Sequence, residues 1–467
     1  MYRATAATVV PRAREQRVPV DGLLQRRVAP SVTRTWVSSV RRGAAGATTR
    51  PGRYRIAGLP GPQARAITAR AANLTLGQQD FGGTRASYIF DPATERYSKA
   101  SPMAMARWYP TLVGLADGKV LSVSGLDEFG QISPGNNEVF HPKTQRWSAP
   151  PRLFRPFPTY PALFLMPYRK LFFSGSNAGY GPATAAWRTP GVWNLKTGSF
   201  HRVLGMRDAT QTETSASVLL PPAQDQRYAI IGGGGVGYSD TSTGRIDVVD
   251  LKRQRPRWRP AAELPSGTRY PEAVITPDDK VVIAGGSKGY RGEHASDLFE
   301  CHLYDPRTNK LEKLASPTVG RDYHSEALLL PDGRIITLGG NPLFSDKADT
   351  APARFEQRIE IFSPPYLYHG PRPRIANGPR QVAHGQTALY GTPDADAIAS
   401  ARLLRPSAVT HVTDVQQRSI ALKIIKRAGG VEVAIPASRG LVPPGWYMLF
   451  VADRRGTPSV AYWIRVR

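Results

Sequence analysis

Residues 301–340, CHLYDPRTNKLEKLASPTVGRDYHSEALLLPDGRIITLGG, hold one complete copy of the pattern from which the fold can be predicted. It reads as a β-strand, an Asp-Pro turn, a second strand, a polar connection, and two apolar strands joined by a turn at residues 331–333. Tyr323 and His324 stand side by side just before the third strand. Neighbours in a regular strand point to opposite faces, so both can serve one site only if the chain there is irregular or at a strand end.

The same pattern recurs four times earlier in the chain. Its closing glycines lie 50–58 residues apart, at Gly125, Gly175, Gly233, Gly286 and Gly340. This period is typical of the kelch repeat, in which each unit forms one four-stranded blade of a β-propeller. A parallel β-helix would have much shorter coils, and the run IGGGGVG (231–237) lacks the helix start that a phosphate-binding loop needs. The sequence therefore predicts an all-β protein with a kelch-type propeller.

After RIEIFSPPYLY, residues 358–368, the pattern changes to about seven short strands in roughly a hundred residues. These strands are RPRIANG, TALYG, ARLLRPS, RSIALKII, VEVAIP, WYMLFVAD and AYWIRVR. Their number and spacing predict an immunoglobulin-like β-sandwich, joined to the propeller at Pro364 and Pro365. The predicted division is a basic N-terminal segment over residues 1–52, the propeller over residues 53–362 and the sandwich over residues 363–467.

The formal net charge of +26 is unevenly distributed, because residues 1–70 hold fourteen arginines and only two acidic residues. This segment has no lysine and little aromatic interleaving, so we expect no nucleic-acid partner. Disorder, or a start assigned upstream of the true domain, explains it better. Neither the apolar region of a secretory signal nor an apolar run long enough for a membrane span is visible. The one cysteine, Cys301, excludes an intrachain disulfide and a cysteine-rich zinc site.

The residues just before each third strand, here called the lead-in positions, can be compared between repeats, since propeller sites form where inner strands meet the central channel. They include Trp108 and Tyr109, Ser215 and Ser217, Tyr270, and Tyr323 with His324. A single tyrosine there is more typical of channel packing than of chemistry. His411 differs from the other histidines because it lies at a turn of the sandwich, where a protruding hairpin would carry it out of its own domain.

Two histidine nitrogens and two tyrosine oxygens would form a mixed ligand set, which suits tetragonal Cu(II) better than zinc or magnesium. The charge of the metal would also allow a phenol with an ordinary pKa near 10 to bind as phenolate. Composition alone does not bring four such residues together.

Five segments, in this order, resemble the galactose oxidase and glyoxal oxidase family of copper radical oxidases: RWYPTLVGLADGKVLSVSG, RDYHSEALLLPDGR, FSPPYLY, RPSAVTHVTDVQQRSIAL and GWYMLFV. The resemblance runs from about residue 53 to the C-terminus and is nearest to the bacterial galactose-oxidase-like branch. It implies a seven-bladed propeller followed by an E-set sandwich that sends one histidine into the channel. It further implies an extracellular or cell-surface protein that oxidises a small aldehyde, alcohol or glycan with O₂ and releases H₂O₂. We expect a monomer.

The resemblance also implies a role for each candidate residue. Tyr323 is similar to the family's axial tyrosine, which accepts the substrate proton, and His324 and His411 are similar to its histidine ligands of Cu(II). Tyr109 is similar to the equatorial tyrosine that becomes the radical. Trp108 is similar to the indole that shields this radical. The implied metal ligands are thus Tyr109, Tyr323, His324 and His411.

The family's radical tyrosine is joined by a thioether to a cysteine of an early blade, whereas this chain has no cysteine before Cys301. We therefore expect an impaired oxidase. The alternatives are a non-catalytic kelch protein that binds cell-surface glycan, or a truncated product whose propeller cannot close. Only five full repeats and a closing strand are counted, so the propeller is expected to be incomplete at its N-terminus.

Overall fold

The computed structural model describes residues 82–91, 94–179, 185–292, 296–341 and 355–467, together with the backbone of three N-terminal strands. These strands are β1 (Gln16–Val20), β2 (Leu23–Arg27) and β3 (Ala66–Ala69). β1 and β2 pair as an antiparallel hairpin. Apart from this hairpin, the prediction made for residues 1–52 lies outside the described residues.

Six antiparallel sheets follow along the described part of the chain. The first contains β3, β4 (Ser87–Asp91) and β5 (Arg96–Lys99). Each of the next four sheets is a four-stranded meander. The second sheet contains β6 (Thr111–Gly114), β7 (Val120–Val123), β8 (Glu138–His141) and β9 (Arg146–Ser148), and the third contains β10 (Leu163–Met166), β11 (Lys170–Phe173), β12 (Gly191–Asn194) and β13 (Phe200–Arg202). The fourth contains β14 (Ala216–Leu219), β15 (Arg227–Ile231), β16 (Arg245–Asp250) and β17 (Arg259–Glu263). The fifth contains β18 (Glu272–Ile275), β19 (Val281–Ala284), β20 (Cys301–Asp305) and β21 (Lys310–Lys313). The sixth contains β22 (Ser325–Leu329), β23 (Ile335–Gly339) and β24 (Glu360–Phe362).

Strands β6–β24 form five blades, four of them with the full set of strands, and β3–β5 add three strands of another sheet. The predicted all-β, propeller-like arrangement is confirmed. Seven blades are not reached within the described residues, so that number stays a prediction. The helices described are α1 (Ala185–Arg188) and 3₁₀ turns at Pro151–Leu153, Ala223–Asp225 and Pro365–Tyr368. None of the helices in the described ranges is long and apolar enough to cross a membrane.

The blades bury their inner strands and expose their outer ones. All four residues of β10 are buried, whereas three of the four residues of β21 are exposed. Apolar side chains of neighbouring blades pack together, as where Val274 and Val282 of one blade meet Ala327 and Ile335 of the next. Removal of this apolar surface from water is the main stabilising contribution, and it fixes the inner strands around the channel.

The C-terminal strands form the E-set sandwich that the sequence predicts. They are β25 (Gln381–Val382), β26 (Thr387–Gly391), β27 (Ile398–Arg405), β28 (Val409–Thr410), β29 (Thr413–Asp414), β30 (Arg418–Arg427), β31 (Gly430–Ala434), β32 (Gly445–Asp453) and β33 (Tyr462–Val466). The first half of β30 pairs with β27, and its second half pairs with β31. One long strand therefore belongs to both layers, and β28 and β29 form a separate hairpin between β27 and β30.

The strand predicted at RPRIANG, residues 372–378, is wrong. Its one ladder contact in the structure is an isolated bridge from Asn377 to Gly391. Proline within the segment removes a backbone donor that a strand needs. The Arg372 guanidinium instead donates to the backbone carbonyls of Asp332, Pro458 and Ser459, at 2.7–2.8 Å. The segment thus ties the sandwich to the last blade.

The sandwich is held on the propeller by polar and apolar contacts. The Arg402 guanidinium donates to both carboxylate oxygens of Asp279, which lies in the turn between β18 and β19, at 2.8 and 2.9 Å. The side chain of Gln224 pairs with the backbone of Ala421. These contacts join the two domains beside a continuous apolar core, and they fix where the β28–β29 hairpin enters the propeller.

Candidate metal centre

A left-handed residue precedes the innermost strand of each of the five blades. These residues are Tyr109, Tyr160, Thr214, Tyr270 and His324, with φ between 44° and 64°. Non-glycine residues seldom adopt this conformation, which turns the chain sharply. The turns are tied to each other around the channel, since the backbone N–H of Tyr160 donates to the carbonyl of Tyr109, and that of Tyr270 to the carbonyl of Thr214.

This turn is the reason why adjacent residues reach one site. His324 has φ 64°, so the alternation of a regular strand is broken between Tyr323 and His324. Their rings stack with centroids 3.7 Å apart and planes 29° apart. Both side chains therefore lie on the same side of the chain.

The two tyrosines singled out in the sequence meet directly. The phenol oxygens of Tyr109 and Tyr323 lie 2.9 Å apart, and both residues are buried. The indole of Trp108 stacks on the Tyr109 ring at a centroid distance of 3.3 Å and an angle of 12°. The structure thus brings together the phenol pair and the shielding indole.

The hairpin β28–β29 carries His411 out of the sandwich and into this cluster. Its turn is formed by His411 and Val412, both left-handed, with φ 50° and 57°. The Nε2 atoms of His411 and His324 lie 3.0 Å apart. The His411 Nδ1 atom is in hydrogen-bonding contact with the Thr410 hydroxyl at 2.8 Å. This contact fixes the ring so that Nε2 faces the cluster.

Gln417, just after the hairpin, anchors it to the propeller. Its side-chain carbonyl accepts from the backbone N–H of Ile275 at 3.0 Å, and its amide donates to the carbonyl of Ala273 at 2.8 Å. Both partners belong to β18, the innermost strand of its blade. At the base of the hairpin, the Asp414 carboxylate accepts from the backbone N–H groups of Gln416 and Gln417.

Two further tyrosines at lead-in positions line the cluster. The Tyr160 ring lies 4.6 Å from the ring of Tyr109 and 4.8 Å from the His411 imidazole. The Tyr270 ring packs edge-on against Tyr323 at 5.6 Å. The sequence predicts no role for Tyr270 and does not single out Tyr160. The segment FPTYPALF in the second repeat places Tyr160 at the lead-in position of its blade. Comparison of the repeats at that position would have identified Tyr160.

Burial is the main cause of the shifted pKa values in this cluster. It raises the pKa of Tyr323 well above the ordinary value, and the adjoining Tyr109 adds to the rise. It lowers the pKa of His324 to about 3, with a smaller effect of the Arg291 charge. Burial also holds the pKa of His411 well below its ordinary range. Both imidazoles are therefore neutral at neutral pH, which is the form that binds metals.

The donor set and its spacing fit a copper ion. Bonds of about 2 Å at right angles to each other place neighbouring ligand atoms about 3 Å apart. That separation is found within the phenol pair and within the imidazole pair. A buried cation would also stabilise the phenolate form of tyrosines that are otherwise held protonated. Two nitrogens and two oxygens form a set that copper prefers.

Cys301 takes no part in this cluster. It lies in β20, the third strand of its blade, and packs with Val274, Leu303 and Ala327. Burial raises the pKa of its thiol to about 12. Tyr109 belongs to a different packing cluster, with Trp108, Leu126 and Tyr160. A thioether between Tyr109 and Cys301 is therefore not compatible with this arrangement.

The fold and the cluster define a class of protein, namely a β-propeller with an E-set sandwich that donates one ligand to a mixed nitrogen and oxygen site. Two family models match the chain: "Glyoxal oxidase N-terminus" over residues 197–366 and "Galactose oxidase-like, Early set domain" over residues 372–466. Together they cover more than half of the chain. The protein belongs to the galactose oxidase and glyoxal oxidase family, as its sequence predicts.

Curated relatives agree with this assignment. Galactose oxidase of Gibberella zeae is 26% identical over 398 residues, which cover 81% of this chain and 57% of that protein. Aldehyde oxidase GLOX1 of Arabidopsis thaliana is 28% identical over 416 residues, covering 79% of this chain and 65% of that protein. The chain thus spans less than two thirds of the length of these relatives. They are fungal and plant proteins, so the narrower likeness to a bacterial branch stays a prediction.

A solved structure shares the fold. It is that of a fungal alcohol oxidase of the AA5 family in complex with copper, with a TM-score of 0.70 and 22% sequence identity. The match covers 83% of this chain and 82% of that one.

Proposed function

We propose that this protein binds one copper ion through Tyr109, Tyr323, His324 and His411 and oxidises an alcohol or aldehyde with O₂. One observation carries the proposal. Residues from two blades and from the sandwich, remote in sequence, bring two phenol oxygens and two imidazole nitrogens together in one buried cluster. The relatives named galactose oxidase and aldehyde oxidase, and the fungal alcohol oxidase in complex with copper, support this chemistry.

The residues divide the work of the overall reaction RCH₂OH + O₂ → RCHO + H₂O₂. Copper, when bound, supplies a one-electron Cu(II)/Cu(I) couple. Tyr323 accepts the hydroxyl proton of the substrate, for which it must first be a phenolate. Tyr109 supplies the second oxidising equivalent as a radical, and the stacked Trp108 shields it from solvent. His324 and His411 hold neutral nitrogen donors in place.

Burial serves this chemistry by keeping water away from the radical. Trp108, Tyr109, Tyr323 and His411 are each less than a tenth exposed. Charge interactions are stronger in such surroundings than in water. The buried Tyr323 oxygen therefore accepts the substrate proton at a fixed position.

The chain should be a weak oxidase. The only sulfur of a cysteine in the chain is remote from Tyr109, which therefore stays a plain phenol. A plain phenol is harder to oxidise than one that carries a thioether sulfur. The same observation favours the second candidate, a kelch protein that binds cell-surface glycan without turnover.

Metal analysis combined with an assay of H₂O₂ release separates the two candidates. The full chain is loaded with Cu(II), freed of excess metal, and supplied with simple aldehydes and galactose in air. We expect about one copper per chain and a low rate of H₂O₂ release that Tyr109→Phe abolishes. Copper binding without any H₂O₂ above the Tyr109→Phe variant would favour the glycan-binding protein, and no copper binding would refute the metal site.

Three further features belong to this proposal. We place the propeller at residues 53–362 and the sandwich at residues 363–467, with the joint at Pro364 and Pro365. Family membership supports a propeller of the seven-bladed type and a monomeric, extracellular or cell-surface protein. Mass measurement in solution tests the monomer.

A further inference from the structure

A pair of acidic residues, Asp297 and Asp322, lies beside the candidate metal centre. Asp322 immediately precedes Tyr323 and is only 2% exposed. Both of its carboxylate oxygens are buried and accept no hydrogen bond from any described side chain or backbone group. Leaving such a group without a partner is costly, so its retention in a tightly packed protein calls for a ligand.

The group that faces Asp322 is another carboxyl. Asp297 comes from the loop between β19 and β20, in the preceding blade, and its charge acts directly on Asp322. The two carboxyl groups converge beside Gly292, where a Cβ atom would lie 2.6 Å from Asp322 Oδ2 and 2.8 Å from Asp297 Oδ1. None of the described groups donates a hydrogen bond to either oxygen of Asp322, so the protein alone compensates a second negative charge beside Asp297 poorly.

These carboxyl groups line a cavity of about 210 Å³ that opens to the surface. Asp322 lies at its inner end, and exposed residues such as Phe299, Thr318 and Arg358 lie at its rim. Glu356 also lines the cavity, but its carboxylate is already paired with Arg358, at 2.6 Å. The cavity has room for an ion and several water molecules.

We propose that Asp297 and Asp322 bind a hard divalent cation, Ca²⁺ in preference to Mg²⁺, in this cavity between the last two blades. Carboxylate oxygens are the ligands that such ions prefer, and Ca²⁺ accepts an irregular set completed by water. No group of three acidic, histidine or cysteine side chains in the described ranges is arranged to hold a metal. Water and backbone oxygens would therefore complete the coordination, and the affinity would be modest, with a Kd of about 10⁻⁴–10⁻³ M.

The cation would have a structural effect on the neighbouring site. It would join the β19–β20 loop to the residue before Tyr323 and hold the lead-in turn of the last blade. Copper would bind to Tyr323 and His324 on the other side of this turn, so the two ions would not share ligands. The proposal is independent of oxidase activity.

Thermal unfolding of the full chain, before and after copper loading, tests the site. At 10 mM Ca²⁺ we expect the Tm of the wild type to rise by about 3 °C or more relative to chelator, with a smaller rise in Mg²⁺ and none in KCl of equal ionic strength. Asp297→Asn and Asp322→Asn should each lose this response. Asp117→Asn, which removes a surface carboxylate, should keep it.

The Asn variants also distinguish a lost ligand from a lost fold. Each replaces one of two facing carboxyl groups by an uncharged group of the same shape, so we expect both to fold without calcium. If Asp322→Asn fails to fold, Asp297→Asn and calorimetric titration of the wild type with Ca²⁺ still decide. A wild type that does not respond to calcium, an equal response to magnesium, or an unchanged response in Asp297→Asn would each overturn the proposal. A wild type that does not respond to calcium would mean that the two carboxyl groups share a proton and bind no cation.

Discussion

The phenol oxygens of Tyr109 and Tyr323 lie 2.9 Å apart although 214 residues separate them in the sequence. Each tyrosine is placed by the left-handed turn before or beside the innermost strand of its own blade. The contact therefore depends on the blades in between, which set the angle between the first and the last of the five. A change in blade packing would therefore alter this contact.

Replacement of His411 by Ala should weaken copper binding by more than about 100-fold, because it removes a ligand and leaves His324 without its partner. Competitive titration with a copper chelator measures the change. His384→Ala serves as the control, since this histidine bonds backbone carbonyls of the sandwich. Copper affinity that is unchanged in His411→Ala would remove the sandwich from the site.

Gln417→Leu should weaken copper binding by about 10–100-fold through the position of His411. The variant loses both hydrogen bonds to β18, so the hairpin is no longer fixed against the channel wall. Copper titration and the electron paramagnetic resonance spectrum of the bound Cu(II) report the change. Gln416→Leu, at the neighbouring residue, is the control. An unaltered spectrum and affinity in Gln417→Leu would show that the hairpin needs no anchor there.

The radical on Tyr109 should be hard to form in this chain. After oxidation of the copper-loaded protein, we expect weak radical absorption and an H₂O₂ rate about tenfold or more below that of a version supplied with a cysteine-bearing segment from a relative's early blade. The physical reason is the missing sulfur donor, since Trp108 stacks on the ring without a covalent bond to it. Equal rates in the two proteins would mean that the cross-link is dispensable here.

Glu272→Gln should make the protein more stable at alkaline pH. Burial raises the pKa of the Glu272 carboxyl well above its ordinary value, and the nearby Glu326 adds to the rise. The folded state then keeps a proton that the unfolded chain releases above about pH 4.5, so the stabilising effect is complete below that pH and is lost as the pH rises toward the raised value. At pH 8 we expect the Tm of Glu272→Gln to exceed that of the wild type by about 3 °C or more, and at pH 4 we expect no difference.

The matched control for this prediction is Glu312→Gln, which changes an exposed carboxylate on the outermost strand of the same blade. Its Tm should follow the wild type at every pH. A parallel pH dependence in Glu272→Gln and the wild type would show that Glu272 is ionised in the folded protein.

The repeat, the blade strands and the sandwich could all be predicted from the amino-acid pattern. Their signals are local, because a strand, a turn and a closing glycine lie within one period of about fifty residues. The candidates Tyr109, Tyr323, His324 and His411 could be predicted too, since the segments around them resemble a known family. The wrong strand prediction at residues 372–378 has a local cause too. The segment holds an apolar residue between prolines, whereas in the structure its Arg372 side chain binds backbone carbonyls of the last blade and of the sandwich.

Which of these residues meet depends on the packing of the blades, and no pattern along the chain specifies it. The approach of Tyr109 to Tyr323, the position of Tyr160 between Tyr109 and His411, and the facing carboxyl groups of Asp297 and Asp322 depend on how whole blades pack. The same holds for the left-handed backbone at the lead-in positions, which tyrosine and histidine do not favour on their own. The pattern along one strand specifies which face of that strand is buried. Contacts around the channel depend in addition on the twist of several sheets and on how these sheets pack against each other.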